Sequence, residues 1–402
     1  MTNSRIKNIL IVDEGIGFGG SLIVSARLAA SLDKTKFNPI IVTAMDINIA
    51  RDHVDEKIKL LSLSKNFTYV DRAKITPFLS KIRPRILFKL SMFLLTIYEK
   101  TINIHFPLIL AYLIFLKKID LVHVNNSKDA LIVARLTRTK CIQHLHGWES
   151  PPDSKAAKLY YKLPHKFISI SKVVEDIVVN AGADNTKITV IHNPIADITP
   201  LPLNEIDDLK NKLRLNNHLV TIAIFGRVIN WKGQYQFINA LKILKEKGHE
   251  FNVLIVGDDG EGISKGYLNK VKRFSDTHLA EYNVIFTGYV SQPEKLYQVS
   301  DIVVHASIKP EPFGLVITEA MQNGAAVIAS KYGAGPELIQ NNITGLICDP
   351  IQPDDIANKI QYLLENPIIR NTIALKGKEI VTRTMNPHNF STEVAKVYST
   401  LV

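Results

Sequence analysis

The segment KPEPFGLVITEAMQNGAAVIASKYGAGPE, residues 309–337, decides the fold. A short loop ends at Glu311, a helix is predicted to begin at residues 312–314, and a second acid, Glu319, lies two turns along that helix. An apolar strand at residues 325–329 and a glycine-rich turn follow. A helix that leads into a buried strand and then a turn is typical of parallel sheets whose strands are joined by helices.

The same segment has the chemistry of a ligand site. Gly314 stands at the mouth of the predicted helix, where a residue without a side chain lets a ligand approach free backbone N–H groups and the helix dipole favours an anion. Glu311 and Glu319 flank that mouth, and carboxylates accept hydrogen bonds from sugar hydroxyl groups. An anion joined to sugar hydroxyls describes a nucleotide-sugar.

A glycosidase acid pair is the competing interpretation of these two carboxylates. Eight residues of helix rise about 12 Å, whereas glycosidase carboxyl groups stand about 5 to 9.5 Å apart. The spacing therefore indicates that the two acids hold different parts of one ligand.

Strand and helix patterns alternate along the whole chain and predict two doubly wound α/β domains. We expect a first domain at residues 1–198, a second at 199–384 and a terminal helix at 385–402, with a polar linker at 196–207. Strands are predicted at residues 8–15, 37–44, 121–126, 141–147, 166–171 and 187–195 in the first half, and at 220–226, 251–257, 283–288, 302–307, 325–330 and 345–349 in the second.

Size and composition agree with this organisation. A chain of 402 residues with 46% hydrophobic and 22% charged residues is typical of a globular protein of two domains. Cys141 and Cys348 are the only cysteines and lack metal-ligand spacing, which favours a reducing compartment. A strand pattern follows the first residues almost at once, so we expect no signal peptide and a cytoplasmic location.

The positive charge is concentrated in one segment. The net charge is +11, and residues 72–118 carry nine Lys and Arg against one acid, Glu99. Apolar runs at 86–98 and 102–116 lie in the same segment, and the longer one, of 15 residues, is short for a membrane span. Two interpretations stay open, a helix pair on an anionic membrane surface or a pair of core helices with solvated lysines. No motif for nucleic-acid binding accompanies the charge.

Taken together, these motifs resemble the retaining glycosyltransferases of family 4, strongly over residues 219–350 and less so over 1–195. The resemblance implies the GT-B architecture, in which two Rossmann-like domains face each other across a cleft and a C-terminal helix returns to the first domain. It also implies a UDP-, GDP- or ADP-linked sugar as donor and an acceptor hydroxyl held by the first domain.

In the first domain the resemblance assigns the loop IGFGGS, in which Gly19 and Gly20 match residues beside the donor phosphates and the acceptor. His146, in HLHGWE, matches the active-site histidine that contacts the donor sugar near the reacting carbon, and His144 is assigned to packing or support. His144 and His146 lie two residues apart on one face of a strand. With no third ligand at suitable spacing and no Asp-x-Asp in the chain, we predict no metal and no cofactor beyond the co-substrate.

In the second domain the resemblance assigns the donor site. Glu311 would hold sugar hydroxyls as the second catalytic residue, and Glu319 the ribose hydroxyls. The remaining donor-binding positions are the phosphate-binding pair Arg227 and Lys232 of FGRVINWKGQ, the base-reading Val290, and the backbone N–H groups of Phe313, Gly314 and Leu315.

The resemblance therefore implies a hexosyl- or N-acetylhexosaminyl-transferase that acts with retention, and the lack of an Asp-x-Asp motif predicts that it is metal-independent. The expected setting is bacterial cell-surface polysaccharide or glycolipid assembly, with a carbohydrate or lipid-linked acceptor. We expect it in the cytoplasm, with peripheral contact of residues 72–118 to the inner face of the cell membrane. Two alternatives remain, a sugar-nucleotide 2-epimerase of the same fold and a catalytically silent nucleotide-sugar-binding partner subunit.

Overall fold

A computed structural model describes residues 5–15, 20–52, 54–64, 72–81, 83, 85–102, 104–125, 127–147, 159–196, 198–259 and 266–402. The chain divides into two compact units. The first unit comprises residues 1–170, 174–191 and 390–402, and the second comprises 171–173 and 192–389.

The first unit contains a parallel sheet of seven strands in the order β3-β2-β1-β4-β5-β6-β7. Its strands are β1 Lys7–Asp13, β2 Phe37–Thr43, β3 Lys59–Ser62, β4 Leu121–Val124, β5 Lys140–Leu145, β6 Lys166–Ser169 and β7 Ile188–Val190. The helices of this half are α1 Gly20–Ser31, α2 Ile47–Arg51, α3 Arg72–Leu79, α4 Arg85–Ile102, α5 His105–Leu116, α6 Lys128–Leu136 and α7 Lys172–Asn180.

The second unit repeats the plan with six parallel strands in the order β10-β9-β8-β11-β12-β13. Its strands are β8 Thr221–Phe225, β9 Asn252–Val256, β10 Val284–Gly288, β11 Ile302–His305, β12 Ala326–Ser330 and β13 Leu346–Cys348. The helices of this half of the chain are α8 Leu203–Lys212, α9 Gln234–Glu246, α10 Tyr267–His278, α11 Glu294–Tyr297, α12 Leu315–Gln322, α13 Gly335–Leu338, α14 Pro353–Glu365, α15 Pro367–Thr384 and α16 Pro387–Ser399, of which α16 lies mainly in the first unit.

The prediction of two doubly wound parallel sheets is confirmed. Three local predictions need correction. The strand β3 was missed, because its four residues KLLS are too short for a periodic signal. The helix α8 begins at Leu203 inside the predicted linker. The helix predicted to begin at residues 312–314 begins at Leu315, because Gly314 has a φ of +89° that lies outside helical geometry.

The terminal helix α16 completes the core of the first unit. Phe390, Val394 and Tyr398 are buried in one cluster with Ile9 and Ile11 of β1. The chain thus leaves the first unit after residue 191 and contributes residues 390–402 to it again at its end.

The basic segment, residues 72–118, contains the helices α3, α4 and α5, and the last two have different surroundings. In α5, Phe106, Leu110 and Ile114 are buried in the core of the first unit. By contrast, α4 exposes large apolar side chains, including Ile86 at 74% and Phe93 at 61%. Among the helices that the structure describes, none is long and apolar enough to cross a membrane.

Candidate functional site

The strand order reverses at one place in each sheet, between β1 and β4 in the first and between β8 and β11 in the second. Ligands of doubly wound sheets bind outside the carboxyl ends of the strands at such a point. In the second unit, Arg227 and Lys232 follow β8, and Glu311 follows β11. These site residues therefore come from the two loops where a ligand is expected.

Glu311 is the centre of a charged cluster. Its Oε1 lies 2.5 Å from Nζ of Lys232, and its Oε2 lies 2.6 Å from Nε2 of His305. The hydroxyl of Ser307 donates a hydrogen bond of 2.8 Å to the same Oε2. The side chains of Lys232 and Glu311 are only 12% and 13% exposed, so water screens the pair poorly.

The cluster determines the charge of Glu311. Burial by itself raises the pKa of this carboxyl group, but His305 and Lys232, through charge and hydrogen bonds, hold the pKa well below its ordinary value. Glu311 is therefore a carboxylate at neutral pH. An ionised carboxylate only accepts hydrogen bonds, so the group suits a ligand that presents hydroxyl donors.

The backbone of Glu311 is fixed by a glycine turn. Glu311 pairs with Gly333 in an isolated bridge, and the N–H of Ala334 donates to the carbonyl of Glu311 at 3.0 Å. A Cβ atom at position 333 would lie 2.2 Å from the nitrogen of Glu311, and Gly333 has a φ of +79°. Only glycine permits this close approach, so the glycine-rich turn after β12 positions the acid.

The mouth of helix α12 lies directly after the cluster in the chain. Phe313 is buried, and Gly314, in a left-handed conformation, precedes the first helical residue, Leu315. The N–H groups of the first turn of a helix have no partner within the helix. The positive end of the helix dipole lies at the same N-terminus, so the start of α12 suits a phosphate group.

Glu319 lies in the middle of α12 and contacts a buried aromatic side chain. The hydroxyl of Tyr297 donates a hydrogen bond of 3.1 Å to Oε2 of Glu319, and the ring of Tyr297 stacks on Phe225 with centroids 3.8 Å apart. Burial, followed by the charge of Glu319, raises the pKa of Tyr297 well above its ordinary value. The tyrosine thus remains a hydrogen-bond donor that orients Glu319.

Two other predicted residues occupy less enclosed positions. The side chain of Arg227 is exposed, and the carbonyl of Arg227 accepts a hydrogen bond of 2.9 Å from Nε2 of Gln234. Val290 is half-buried, two residues beyond the end of β10. The structure therefore joins Lys232 to Glu311 but leaves Arg227 on the surface of the second unit.

In the first unit, His146 follows the carboxyl end of β5. Its Nε2 lies 2.9 Å from Oδ1 of Asn125, the residue directly after β4. Its ring lies against that of His144, with centroids 4.1 Å apart. Burial lowers the pKa of His146 to about 4, so the imidazole is neutral at physiological pH.

A second part of this cluster supports His144. Nδ1 of His144 lies 3.1 Å from Nε2 of His123, and Nδ1 of His123 lies 2.8 Å from the hydroxyl of Tyr398 on α16. All three of these side chains are buried. His144 therefore packs against His146, in the supporting position that the sequence predicts. Among the described residues, no group of three or more His, Cys, Asp or Glu could hold a metal ion.

The glycine loop is only partly described. Gly20 is the first residue of α1, and Gly19 lies outside the described residues. Ser25, one turn further along α1, donates a hydrogen bond of 2.9 Å to the carbonyl of Ser21. The hydroxyl oxygen of Ser25 accepts a hydrogen bond of 2.6 Å from Nδ2 of Asn125, which links α1 to the residue directly after β4.

Sequence reasoning missed the residues that support the site. His305 and Ser307 were inside the predicted strand 302–307, and their position at a strand end was an available signal. Asn125 had the same signal after β4. Tyr297 had none, because its partner Glu319 lies 22 residues away in sequence.

Two family models match this chain. One, described as glycosyl transferases group 1, matches residues 205–380, and the other, described as glycosyltransferase family 4, matches residues 18–197. Together the two matches cover most of both units.

Curated relatives are similar at lower identity. The chain is 25% identical over 252 residues to an uncharacterized glycosyltransferase of Methanocaldococcus jannaschii, covering 62% of each chain. It is 26% identical to the capsular polysaccharide biosynthesis glycosyltransferase CapM of Staphylococcus aureus, covering 58% of this chain and 61% of CapM. It is 28% identical to the lipopolysaccharide 1,2-N-acetylglucosaminetransferase of Salmonella typhimurium, covering 61% of this chain and 63% of that enzyme. Each match spans less than two thirds of the relative's length.

Solved structures share the fold along nearly the whole chain. A glycosyltransferase from Rickettsia africae superposes with a TM-score of 0.79 at 22% identity, covering 99% of both chains. The Anabaena protein HepE in complex with UDP superposes with a TM-score of 0.73 at 22% identity, covering 98% of this chain and 100% of HepE. HepE was also solved in complex with UDP-glucose.

Proposed function

Because the chain belongs to the family 4 glycosyltransferases, we propose that it transfers a sugar from a nucleotide-sugar donor to an acceptor hydroxyl group, with retention of configuration. The observation that carries this proposal is the cluster of Glu311, Lys232 and His305 directly before the mouth of α12. It combines an ionised carboxylate, a cation and a helix N-terminus, which are the groups that a sugar diphosphate requires.

The charge pattern of this cluster suits departure of a nucleoside diphosphate. The ammonium group of Lys232 has three N–H donors, of which one donates a hydrogen bond to Glu311. The others, together with the N–H groups of Gly314 and Leu315, are proposed to hold the diphosphate while its negative charge grows. Such preorganised donors lower the barrier because they stabilise charge that develops in the transition state. Arg227, exposed on the loop after β8, is proposed to reach the same phosphates.

The other roles are proposed from position. Glu311 accepts hydrogen bonds from hydroxyl groups of the donor sugar, and Glu319, oriented by Tyr297, accepts them from the ribose. Val290, beyond the end of β10, reads the base. In the first unit, His146 contacts the donor sugar near the reacting carbon.

The donor and the biological setting are proposals that the relatives support. The structure of HepE with UDP-glucose favours a nucleotide-linked hexose, and the Salmonella enzyme favours an N-acetylhexosamine. CapM and the Salmonella enzyme favour assembly of a bacterial surface polysaccharide or glycolipid. No metal is needed in this scheme, because Lys232 and the mouth of α12 supply the positive charge.

The acceptor is proposed to be lipid-linked or close to a membrane, because of the exposed apolar surface of α4. This surface is formed by Ile86, Leu90, Phe93, Leu94 and Ile97, which are 46 to 74% exposed. The segment 72–118 around it carries nine cations and one acid. Apolar and basic groups on one helix suit the cytoplasmic face of an anionic membrane.

A ligand screen tests the transferase proposal. The protein is mixed in turn with UDP-, GDP- and ADP-linked sugars, and both the melting temperature and the release of nucleoside diphosphate are measured. The correct donor at 100 times its Kd stabilises the folded state by about 2.7 kcal/mol and releases diphosphate when an acceptor is present. If a donor stabilises the protein but no acceptor leads to release of nucleoside diphosphate, the protein is the silent partner subunit. If the donor sugar is converted to its epimer without an acceptor, the protein is the 2-epimerase.

The screen has a matched control in the same unit. Lys242 lies on α9 and pairs with Glu246 at 3.6 Å on the surface. Lys242→Ala should retain donor-induced stabilisation, whereas Lys232→Ala should lose it. Equal behaviour of the two variants would contradict the proposed donor site.

A further inference from the structure

A chain of hydrogen bonds connects helix α1 to His146 in the first unit. The hydroxyl of Ser25 donates to the carbonyl of Ser21 at 2.9 Å. Nδ2 of Asn125 donates to the hydroxyl oxygen of Ser25 at 2.6 Å, and Oδ1 of Asn125 lies 2.9 Å from Nε2 of His146. Asn125 and Ser25 are both 2% exposed, so no bulk water takes part.

The positions of the protons in this chain follow from its first member. A carbonyl oxygen only accepts, so the single hydroxyl proton of Ser25 is used by the carbonyl of Ser21. The oxygen of Ser25 then only accepts, and the group of Asn125 that faces it must be the amide nitrogen. The amide oxygen of Asn125 consequently faces His146, whose Nε2 must carry a proton to form the bond.

We propose that Asn125 is a positioning residue that holds His146 as the neutral tautomer protonated at Nε2, so that Nδ1 of His146 accepts a hydrogen bond from a hydroxyl group of the bound sugar. This inference rests on the proposed function and adds the direction of the hydrogen bond. A hydroxyl group can donate to Nδ1, whereas a carboxylate or a phosphate oxygen has no proton to donate. The site therefore selects a sugar with a free hydroxyl at this contact and rejects one with a carboxylate there.

The groups around the ring favour the neutral form. His144 on β5 lies against the ring of His146, and behind it His123 on β4 bonds to Tyr398 on α16. The groups that α1 contributes to these hydrogen bonds, the carbonyl of Ser21 and the hydroxyl of Ser25, are uncharged. None of these groups is an anion that would stabilise an imidazolium ion, and burial lowers the pKa of His146 to about 4.

Two measurements on isotopically labelled full-length protein test the proposal. Long-range ¹H–¹⁵N correlation spectra of the histidine rings, with His146 assigned from a His146→Gln spectrum, should show a proton on Nε2 and none on Nδ1 at pH 7. A proton on Nδ1, or a charged ring, would overturn the proposal. This measurement needs no substrate, so it is independent of whether the transferase proposal holds.

The second measurement uses Asn125→Asp, which keeps the shape of the side chain and adds a negative charge. The carboxylate should raise the pKa of His146 by about 1 to 3 units, and the acid limb of the kcat profile should move upward by the same amount. The matched control is Asn38→Asp on β2, where Asn38 bonds to Asn8 on the surface. It should leave both the ring spectrum and the profile unchanged.

A second variant keeps the test possible if Asn125→Asp does not fold. Ser25→Ala removes the acceptor that fixes the amide, so Asn125 can turn over and His146 should populate both tautomers. A wild-type tautomer in Ser25→Ala, or a kcat profile that does not move with the pKa of His146 in Asn125→Asp, would show that Asn125 is only structural.

Discussion

Acid should destabilise the first unit, because its enclosed surroundings hold three clustered histidines in the neutral form. Burial lowers the pKa of His123 to about 3 and that of His146 to about 4, and it holds the pKa of His144 well below the ordinary value of 6.5. Above about pH 6.5 these rings are neutral in the folded and the unfolded chain. As the pH falls from there toward 4, the unfolded chain binds protons first, so stability is lost.

One carboxyl group opposes this loss. Burial raises the pKa of Glu14 to about 7, against an ordinary value of 4.5, with the hydrogen bond to Ser127 acting in the opposite direction. Below pH 7 the folded state therefore binds this proton before the unfolded state does, so Glu14 increases the free energy of unfolding as the pH falls toward 4.5. Three protons taken up by the unfolded chain, less one already held by the folded state, leave a difference of about two.

The magnitude follows from proton linkage. For each proton that the unfolded chain binds in excess of the folded chain, the free energy of unfolding changes by about 1.4 kcal/mol per pH unit. Two protons therefore predict a loss of about 2 to 3 kcal/mol between about pH 6 and pH 5. That is a large fraction of the stability of about 5 to 15 kcal/mol that is usual for a domain.

Urea denaturation at several pH values, read by hydrogen exchange and mass spectrometry of peptides from β4 and β5, measures the first unit separately. His144→Gln removes one of the three protons and should reduce the loss to about 1.4 kcal/mol per pH unit. His218→Gln, in an exposed loop of the second unit, is the control and should leave the loss unchanged. Constant or rising stability of the first unit between pH 6 and pH 5 would refute the reasoning.

Four further predictions concern the proposed transferase. Lys232→Ala should lower kcat/KM by an amount that corresponds to about 2 to 4 kcal/mol of lost transition-state stabilisation. It should also lower the free energy of unfolding by about 3 kcal/mol, because Glu311 stays buried without its cation. Glu311→Gln should reduce turnover, whereas Glu319→Gln should mainly weaken binding of the free nucleoside diphosphate, as seen by calorimetry. Activity should survive EDTA, because Lys232 and the mouth of α12 supply the positive charge. Binding to anionic vesicles should fall steeply with salt, and reversing the three cations within residues 83–89 should abolish it, since each contributes about 1 kcal/mol.

Each of these has a contrary result. Unchanged turnover in Lys232→Ala would remove the lysine from the phosphate site. Equal loss of diphosphate affinity in Glu311→Gln and Glu319→Gln would contradict their separate roles. Activity lost in EDTA and restored by Mg²⁺ or Mn²⁺ would require a metal. A protein that ignores anionic vesicles even at low salt would make a soluble acceptor the better hypothesis.

The first of these predictions shows what the structure added to the sequence. From the sequence, Lys232 and Glu311 were assigned to different parts of the donor, the phosphate and the sugar. In the structure they form one ion pair, so removal of either affects the charge and the stability of the other. Spacing along the chain gave no indication of this contact, because 79 residues separate the two.

The sequence by itself determined most of the elements and predicted at which strand ends a ligand site is expected. Runs of apolar residues bounded by glycine and proline predict buried strands, and their alternation with helices predicts two parallel sheets. Because these signals are local, strands such as β8 and β9 were placed to within a residue or two, whereas the four-residue β3 was missed. The residues after β8 and β11 were assigned correctly to strand ends, where ligands of such sheets bind.

Tertiary structure alone decided which side chains meet. Tyr398 bonds to His123 across 275 residues, and Ser25 accepts from Asn125 across 100. Such contacts depend on which strands are neighbours in the sheet and on how a terminal helix packs against it, and no periodic pattern records either. Protonation followed the same rule, because burial and partners brought together by folding, not residue type, keep His146 neutral and Glu311 ionised.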